Sequence, residues 1–338
     1  MDRPLDQPLR VSFTNVGCKL NQHELETLQN GFDRRGHAVV GDGEADVCVV
    51  NTCTVTGSGD ADSRKAVRRA RRRNPGATVV ATGCYAQRRP GDLSAAGAHL
   101  VLGNDRKAEL LQLVESYLAG GEELHPPAPD RAPVGRFLEI EGVVARGRTR
   151  GTLKIQDGCD EHCTYCIIPA VRGKGISRPA AEVVSQARKM VEAGYCELAL
   201  TGVHTGSYGG DGGGTSTLVP LLKELDAIDG LERIRLNSVE PAYVSEALVD
   251  HAATSAKFCR HFHIPLQSGD DSVLRRMGRR YRRGDYAATI DRIHEAVPDC
   301  AIGADVMVGF PGEERAHFDN TRSLLRDLPV SYLHVFPY

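Results

Sequence analysis

Short apolar runs alternate with amphipathic or charged stretches along the first part of the chain. Four runs read as buried parallel strands, at 11–16, 46–50, 77–83 and 98–104, and a helix is predicted near 105–118. A continuous apolar run bounded by helical stretches is typical of a strand that is covered on both faces. The pattern therefore predicts an α/β fold with a parallel sheet.

The second part of the chain repeats a strand-and-helix pattern six times. The predicted strands lie at 151–156, 196–202, 232–238, 260–266, 300–309 and 331–337. A helical stretch follows each of the first five, for instance 180–194 and 245–256. Six such units predict a partial (β/α)6 barrel, an incomplete relative of the eight-unit TIM barrel.

A segment rich in glycine and proline, 120–135, separates the two patterns. Such a composition is typical of a linker. We predict an N-terminal domain at 8–119, a linker at 120–144 and a barrel domain at 145–338.

Composition narrows the class of protein. With 338 residues, 41% of them hydrophobic and 25% charged, the chain can bury two full cores. No apolar run approaches the roughly 20 residues that cross a bilayer, and the first ten residues lack an apolar signal segment. We expect a cytoplasmic protein.

Basic residues are concentrated locally although the net charge is −2. The segment 63–73 carries seven cations and the segment 275–283 carries six arginines. Phosphate contacts would explain the first run, and a solvated helix face would explain it equally well.

Ten cysteines are too few for a disulfide framework in a chain of this length. Cys48, Cys196, Cys259 and Cys300 lie in or beside apolar runs. Free cysteine is commonly buried, so these four are predicted to be small core residues.

Three other cysteines follow predicted strands. Cys18, Cys53 and Cys84 each come one to three residues beyond a strand end, and glycine directly precedes Cys18 and Cys84. The carboxyl ends of parallel strands share one edge of a sheet. This placement favours convergence on a metal cluster over three unrelated core cysteines.

The last three cysteines, Cys159, Cys163 and Cys166, lie within eight residues, directly after the first strand of the second part. Thiolates are the usual ligands of iron–sulfur clusters. Three thiolates on a four-iron cluster leave one iron open for a cofactor, as catalytic zinc sites keep a position open. A zinc ribbon would need a second Cys/His pair, and His162 lies too close in sequence to serve.

The C-x3-C-x2-C spacing with Tyr165 before the last cysteine resembles the signature of the radical S-adenosylmethionine (SAM) superfamily. The resemblance implies that SAM binds the open iron and that the reduced cluster cleaves it to a 5′-deoxyadenosyl radical. "LTGVHTGSYG" (200–209), "NSVEP" (237–241) and "GADVMVGFPGE" (303–313) resemble the SAM-binding elements of that superfamily. The implied SAM-site residues are Tyr165, Thr201, Gly202, Ser238 and Glu240.

Three separated cysteines ahead of such a barrel resemble the methylthiotransferase family. The resemblance implies a flavodoxin-like N-terminal domain whose cysteines hold a second 4Fe–4S cluster, and this cluster delivers sulfur. It also implies a flavodoxin- or ferredoxin-type electron donor and a small C-terminal β domain, which we expect this chain, ending at Tyr338, to lack.

Three branches of the family differ in substrate. "GCKLNQHELE" (17–26), "NTCTVT" (51–56), "GCYAQ" (83–87) and "YLHVFPY" (332–338) most resemble the branch that modifies C2 of N6-threonylcarbamoyladenosine at position 37 of tRNA, although His23 and Leu25 depart from its pattern. The alternatives are isopentenyl-adenosine in tRNA, an aspartate of a ribosomal protein, a two-cluster electron-transfer protein and a tRNA-binding module. For a tRNA anticodon stem-loop, the candidate contacts are Arg64, Arg68, Arg71 and Arg72. His263 and Gln267 match family positions near the active site, but a structural role for the histidine is equally consistent with the sequence.

Overall fold

The computed structural model describes residues 7–120, Phe137 and residues 150–338. These residues form two compact units, and most of the predicted linker lies outside the described residues. The first unit contains 7–120 together with two later segments, Asp157–Asp160 and Ile167–Lys174. The second unit contains 150–156, 161–166 and 175–338.

A five-stranded parallel sheet forms the centre of the first unit. Its strands are β1 (Arg10–Asn15), β2 (Ala38–Val39), β3 (Val47–Thr52), β4 (Thr78–Gly83) and β5 (Leu100–Leu102). The spatial order β2-β1-β3-β4-β5 is that of a flavodoxin-like sheet. The structure confirms the parallel α/β fold, and β2 is a two-residue strand that the sequence pattern did not predict.

Helices cover both faces of this sheet. Alternate residues of its strands therefore belong to two different cores. Val47 and Val49 pack in one hydrophobic cluster, and Cys48 and Val50 pack in another. The helices of this unit are α1 (Lys19–Arg34), α2 (Gly57–Arg73), α3 (Cys84–Arg88), α4 (Pro90–Ala95), α5 (Leu110–Leu118) and, from the later segment, α6 (Ile168–Arg172). A 3-10 turn at Asn104–Glu109 leads into α5.

The second unit contains two three-stranded parallel sheets in the orders β10-β9-β6 and β11-β12-β13. A parallel bridge between Ile234 and Phe258 links β10 to the residues that precede β11. The strands follow one another as in a barrel, so the predicted (β/α)6 arrangement is confirmed. They are β6 (Arg150–Lys154), β9 (Glu197–Thr201), β10 (Arg233–Leu236), β11 (His261–His263), β12 (Ala301–Val308) and β13 (Tyr332–Pro337), and the short β7 (Gln156–Asp157) and β8 (Ile176–Ser177) lie between the first two.

Amphipathic helices alternate with these strands. α7 buries Val183, Ala187 and Met190, which recur at helical spacing on one side. The helices are α7 (Ala180–Glu192), α8 (Leu218–Asp226), α9 (Glu246–Thr254), α10 (Asp271–Arg276), α11 (Arg283–Ala296) and α12 (Arg315–Asp327), with 3-10 turns at Thr205–Ser207 and Pro241–Tyr243. Among the described helices, none combines the length and the apolar character that a membrane crossing requires.

The fourth strand of this unit is shorter than predicted. The pattern predicts a strand over 260–266, whereas β11 ends at His263. Pro265 has no N–H for the ladder, and Gln267 takes a positive φ of 63°, so the chain turns out of the regular sheet.

Candidate functional site

Cys18, Cys53 and Cys84 lie at the carboxyl edge of the first sheet, after the neighbouring strands β1, β3 and β4. Cys18 is the N-cap of α1, Cys53 directly follows β3, and Cys84 is the first residue of α3. The structure therefore brings these three residues to one edge, as the strand-end pattern predicted. Cys53 and Cys84 are buried and Cys18 is exposed.

Two glycines make room for this arrangement. Gly17 has a φ of 110°, and a Cβ on it would lie 2.8 Å from the Sγ of Cys53. Gly83 has a φ of 101°, and a Cβ there would lie 2.4 Å from the carbonyl oxygen of Thr52. Residues other than glycine rarely adopt such φ values, so both the backbone conformation and the close approach require glycine here.

The other two thiols of the triad act on Cys53. Burial raises the pKa of the Cys53 thiol, and a backbone hydrogen bond at Val55 opposes this. The thiols of Cys84 and Cys18 raise the pKa further, and the Arg172 cation lowers it. A side-chain amide also contacts the triad, because Asn104 Nδ2 lies 3.6 Å from the Sγ of Cys84.

The spacing of these sulfurs fits an iron–sulfur cluster better than a single zinc ion. The Sγ atoms of Cys18, Cys53 and Cys84 do not all lie within 4.8 Å of one another. Thiolates around one zinc ion are roughly 3.8 Å apart for tetrahedral bonds of about 2.3 Å. Thiolates that bind different irons of a cluster are farther apart than this, and three thiolates at one sheet edge are the type of donor that a 4Fe–4S cluster takes.

Gly83→Ala should destabilise the first unit and prevent metal loading at this edge. The positive φ alone costs about 1–3 kcal/mol for a residue with a Cβ, and the overlap with Thr52 adds to it. Gly43→Ala is the matched control, because Gly43 has a similar φ of 104° but no atom within 4 Å of the place that the added methyl would take. Denaturant unfolding and iron content should both change more for Gly83→Ala; equal effects of the two substitutions would contradict the proposed packing.

A buried ion network lies beside Cys84. Arg172 Nη1 contacts the Glu24 carboxylate at 2.9 Å and that of Asp157 at 3.1 Å, and Lys107 also pairs with Glu24. Burial alone would lower the pKa of Arg172, but the Cys84 thiol and the two carboxylates outweigh it and raise the pKa. The network thus holds a permanent cation near the cysteine triad.

Arg172→Met should cost about 3–5 kcal/mol of stability, since it leaves the Glu24 and Asp157 carboxylates buried with one cation fewer. Arg35→Met is the control, because the Arg35–Glu115 pair at 3.4 Å is half exposed and is screened by solvent. Thermal unfolding midpoints of the two variants give the comparison. A drop for Arg172→Met no larger than for Arg35→Met would show that the network does not stabilise the fold.

The second triad lies on the loop between β7 and α6. The N–H of Cys159 donates to the carbonyl of Gly173 at 3.1 Å, and Gly158, with a φ of 67°, allows this approach to the backbone. Farther along, the N–H of Cys166 donates to the carbonyl of Cys163 at 3.0 Å. Thr164 donates from its N–H to the carbonyl of Met277 at 3.0 Å, which fixes this part of the loop.

Tyr165 packs into a small core. It lies against the cluster formed by Val273, Met277 and Phe310, and burial raises the pKa of its phenol. The guanidinium of Arg279 lies over its ring at 5.9 Å. In this structure Tyr165 holds the cysteine loop through apolar contacts.

A cavity of about 280 Å³ opens beside Cys163 in the second unit. Its lining residues are Glu161, Cys163, His204, Glu240, Ala242, Tyr243, Gly278, Arg279, Arg280 and Tyr281. Glu240 is thus the one predicted SAM-site residue in this lining. Thr201, Gly202, Ser238 and Tyr165 lie outside it.

Arg279 and Glu240 form a nearly buried ion pair in this cavity. Arg279 Nη1 lies 2.8 Å from Glu240 Oε2 and 3.7 Å from the Sγ of Cys163. Burial alone would lower the pKa of Arg279, but Glu240 and the nearby phenols and thiol raise it well above its ordinary value. A fixed cation therefore contacts a cysteine of the second triad.

Two buried nitrogen atoms of the cavity lining have no hydrogen-bond partner among the described residues, His204 Nε2 and Arg279 Nε. His204 Nδ1 accepts a hydrogen bond from the N–H of Ser207 at 3.2 Å, which leaves Nε2 to carry the proton. Buried donors without partners are rare and suit a polar ligand. This observation fits the binding of SAM, whose methionine and ribose groups supply acceptors.

Three residues of this region, His204, Arg279 and Gln156, were not predicted from the sequence. Gln156 Oε1 accepts the N–H of His204 at 2.7 Å and so fixes the loop after β9. His204 lies within the stretch "LTGVHTGSYG", so its motif was the available signal. Arg279 lies in an arginine-rich segment whose individual roles are not distinguishable without the fold.

The other predicted positions support this loop. Thr201 Oγ1 accepts from Asn237 at 2.8 Å, and the carbonyl of Ser238 accepts from Thr205 Oγ1 at 2.7 Å. A Cβ on Gly202 would lie 3.0 Å from Gln156. These residues connect the ends of β9 and β10 next to the cavity.

The four cysteines predicted to be core residues differ in burial. Cys48 and Cys300 are buried, Cys259 is half-buried, and Cys196 is exposed. The prediction is therefore wrong for Cys196, which directly precedes β9 instead of lying within it.

Of the four candidate arginines on α2, two are held by neighbours. Arg64 donates to the Tyr85 hydroxyl, and Arg71 contacts the ring of His99. Arg68 and Arg72 are exposed, one turn apart, and form no ion pair with a described residue. Arg69 and Arg73 instead pair with Asp42, at 3.6 and 2.7 Å.

Comparison with known proteins agrees with this geometry. Residues 153–325 match the radical SAM superfamily, and residues 10–103 match the family described as Uncharacterized protein family UPF0004. Among solved structures, the radical S-adenosylmethionine methyltransferase TsrM from Kitasatospora setae superposes with a TM-score of 0.73 at 16% identity, covering 96% of this chain and 72% of that one. At that identity the likeness supports the fold alone.

Curated relatives are closer in sequence. The threonylcarbamoyladenosine tRNA methylthiotransferase MtaB of Bacillus subtilis (strain 168) is 39% identical over 97% of this chain and 73% of its own length. MtaB of Aquifex aeolicus (strain VF5) is 40% identical over 98% of this chain and 80% of its own. The tRNA-2-methylthio-N(6)-dimethylallyladenosine synthase of Salinispora arenicola (strain CNS-205) is 33% identical over 98% of this chain and 67% of its own. The chain therefore belongs to the radical SAM methylthiotransferases, in the family of the MtaB enzymes.

Proposed function

We propose that this enzyme installs a methylthio group at C2 of N6-threonylcarbamoyladenosine at position 37 of tRNA. The observation that carries the proposal is the pairing, in one chain, of three strand-end cysteines with a three-cysteine loop beside a polar cavity. The identity of 39–40% to two MtaB enzymes supports this substrate over the dimethylallyl one.

Two 4Fe–4S clusters and SAM are the cofactors of this family. Cys159, Cys163 and Cys166 would hold one cluster, and Cys18, Cys53 and Cys84 the other. When bound, these groups supply the radical that takes hydrogen from C2, the sulfur that replaces it and, from a second SAM, the methyl group. Reduction needs a one-electron donor, for which we propose a flavodoxin- or ferredoxin-type protein.

The side chains of the cavity would bind and orient SAM. The buried Nε2–H of His204 and Nε–H of Arg279 are donors for its carboxylate or ribose oxygens. The carboxylate of Glu240, held by Arg279 at 2.8 Å, is an acceptor for its ammonium or hydroxyl groups. Thr201, Gly202 and Ser238 would act by fixing the loops that carry His204 and Glu240, and Tyr165 by fixing the cysteine loop.

The substrate base has to leave its stack to present C2 to a site inside a protein. Unstacking a base costs least in a single-stranded loop, and most sequence-specific RNA recognition targets bases in such loops. An anticodon-loop adenosine satisfies this condition. We place the reaction in the cytoplasm, where tRNA is found.

Arg68 and Arg72 are the best-placed phosphate contacts on α2, because they are exposed and one turn apart. The double variant Arg68→Gln, Arg72→Gln should weaken tRNA binding and reduce the slope of log affinity against log salt by about 1–2. The matched control is Arg69→Gln, Arg73→Gln, since Asp42 already neutralises part of that pair. Filter binding at several salt concentrations measures both slopes, and equal slopes for the two variants would remove Arg68 and Arg72 as contacts.

Nucleoside mass spectrometry of tRNA tests the substrate. A strain that lacks this gene should accumulate threonylcarbamoyladenosine without its methylthio group, and plasmid-borne enzyme should restore the group. Loss of the methylthio group from dimethylallyladenosine instead would overturn the substrate. Unchanged tRNA in the deletion strain would overturn the tRNA function.

A further inference from the structure

Three potential metal ligands converge on the second sheet of the barrel, far along the chain from either cysteine triad. His263 lies on β11, Asp305 on β12 and His334 on β13. His263 Nε2 is 2.9 Å from Asp305 Oδ1, and His334 Nδ1 is 3.3 Å from the same oxygen. One ligand atom from each residue lies within 4.8 Å of the other two.

Strand register explains why these side chains meet. Asp305 is paired directly with His334, and Gly303 is paired with Tyr332 two residues earlier on the same face. A Cβ on Gly303 would lie 2.1 Å from the Tyr332 ring, so the glycine leaves the space that this ring occupies. The Tyr332 ring therefore lies beside the three potential ligands.

The hydroxyl of Tyr332 orients His263. It lies 3.3 Å from His263 Nδ1 and 2.7 Å from His261 Nε2. Engaging Nδ1 of His263 directs Nε2 toward Asp305. Histidines that bind metals usually have their other ring nitrogen held by such a second partner.

The three ligands differ in exposure in a way that suits an exchangeable ion. The side chain of His263 is 9% exposed, that of Asp305 is 20% exposed and that of His334 is 56% exposed. A buried imidazole fixes one ligand position, and the exposed one leaves a path for entry. Two imidazoles and one carboxylate form a donor set suited to first-row divalent ions such as Zn²⁺ or Fe²⁺.

We propose that His263, Asp305 and His334 form a binding site for one first-row divalent cation, with coordination positions left for water or another oxygen ligand. The site uses none of the six cysteines of the two triads. It does not depend on the proposed substrate, and its test is independent of tRNA.

Zinc binding to the anaerobically reconstituted enzyme tests the site. With both clusters assembled, the protein is dialysed against Zn²⁺ at concentrations set by a competing chelator, and zinc and iron are counted by mass spectrometry. The enzyme should retain about one zinc per chain without loss of iron. His334→Ala and Asp305→Asn should each remove it, whereas His294→Ala, at an exposed histidine elsewhere in the same unit, should not.

The Tyr332→Phe variant tests whether the site is preorganised or is only a chance contact between histidines at the surface. It removes only the hydroxyl that orients His263, and loss of such a partner typically weakens metal binding by about 10–100-fold. Zinc affinity unchanged in both His334→Ala and Tyr332→Phe would overturn the proposal. The proposal would also be overturned if the unmodified enzyme retained no more zinc than the His334→Ala variant, whose substituted position is largely exposed.

Discussion

Replacing Cys159, Cys163 and Cys166 with alanine should reduce SAM cleavage to background. These residues supply the thiolates of the loop beside the cavity, and without them the cluster whose open iron would bind SAM cannot form. The 5′-deoxyadenosine formed under strongly reducing, oxygen-free conditions measures the effect. The variant should also keep about half of the iron of the unmodified enzyme, because the other triad is intact.

A matched variant controls for the loss of thiols. Cys196→Ala, Cys259→Ala removes two cysteines that belong to neither triad and should cleave SAM at the normal rate. Undiminished 5′-deoxyadenosine formation by the Cys159, Cys163, Cys166 variant would exclude these residues as the ligands of the SAM cluster.

Replacing Cys18, Cys53 and Cys84 with alanine should affect methylthio transfer and not SAM cleavage. SAM cleavage should persist, because the cavity around Cys163 and Arg279 is unchanged. Methylthio product should be absent, because the sulfur that replaces hydrogen at C2 is attributed to the cluster held by these residues. Product analysis by nucleoside mass spectrometry, beside 5′-deoxyadenosine measurement on the same sample, separates the two activities.

Product formation by that variant at the normal rate would assign sulfur delivery to another source. Loss of both activities would mean that the substitution disturbs the whole protein. The Gly83→Ala variant helps here, since it perturbs the same edge of the sheet without removing a thiol.

The convergence of Cys18, Cys53 and Cys84 was predictable because it depends on a rule of parallel sheets. Each residue follows a strand, and the strands β1, β3 and β4 are neighbours. Gly17 and Gly83 added a local signal, because each precedes a cysteine at a turn with a φ that only glycine adopts readily. Strand-end position and backbone freedom are both properties of short stretches of sequence.

The lining of the cavity was not predictable in the same way. His204, Glu240 and Arg279 come from three separate loops, and their meeting depends on how the barrel strands are ordered in space. The buried partners of Arg172 are likewise up to 151 residues away in sequence. The role of Tyr165 was also not predictable. It belongs to a cofactor signature, but in the structure it packs into a core with Met277 and Phe310.

Local irregularities of the strands could also not be predicted from the hydrophobic pattern of the sequence. The apolar run 260–266 reads as one strand, but Pro265 and the turn at Gln267 end β11 at His263. His263 is the last residue of this regular strand and contacts Asp305 of β12.

The iron and sulfide content of oxygen-free, reconstituted enzyme tests the central claim most directly. Two clusters, each held by three cysteines, predict about eight irons and about eight inorganic sulfides per chain. About four irons per chain, or zinc in place of four of the irons, would contradict the presence of two clusters.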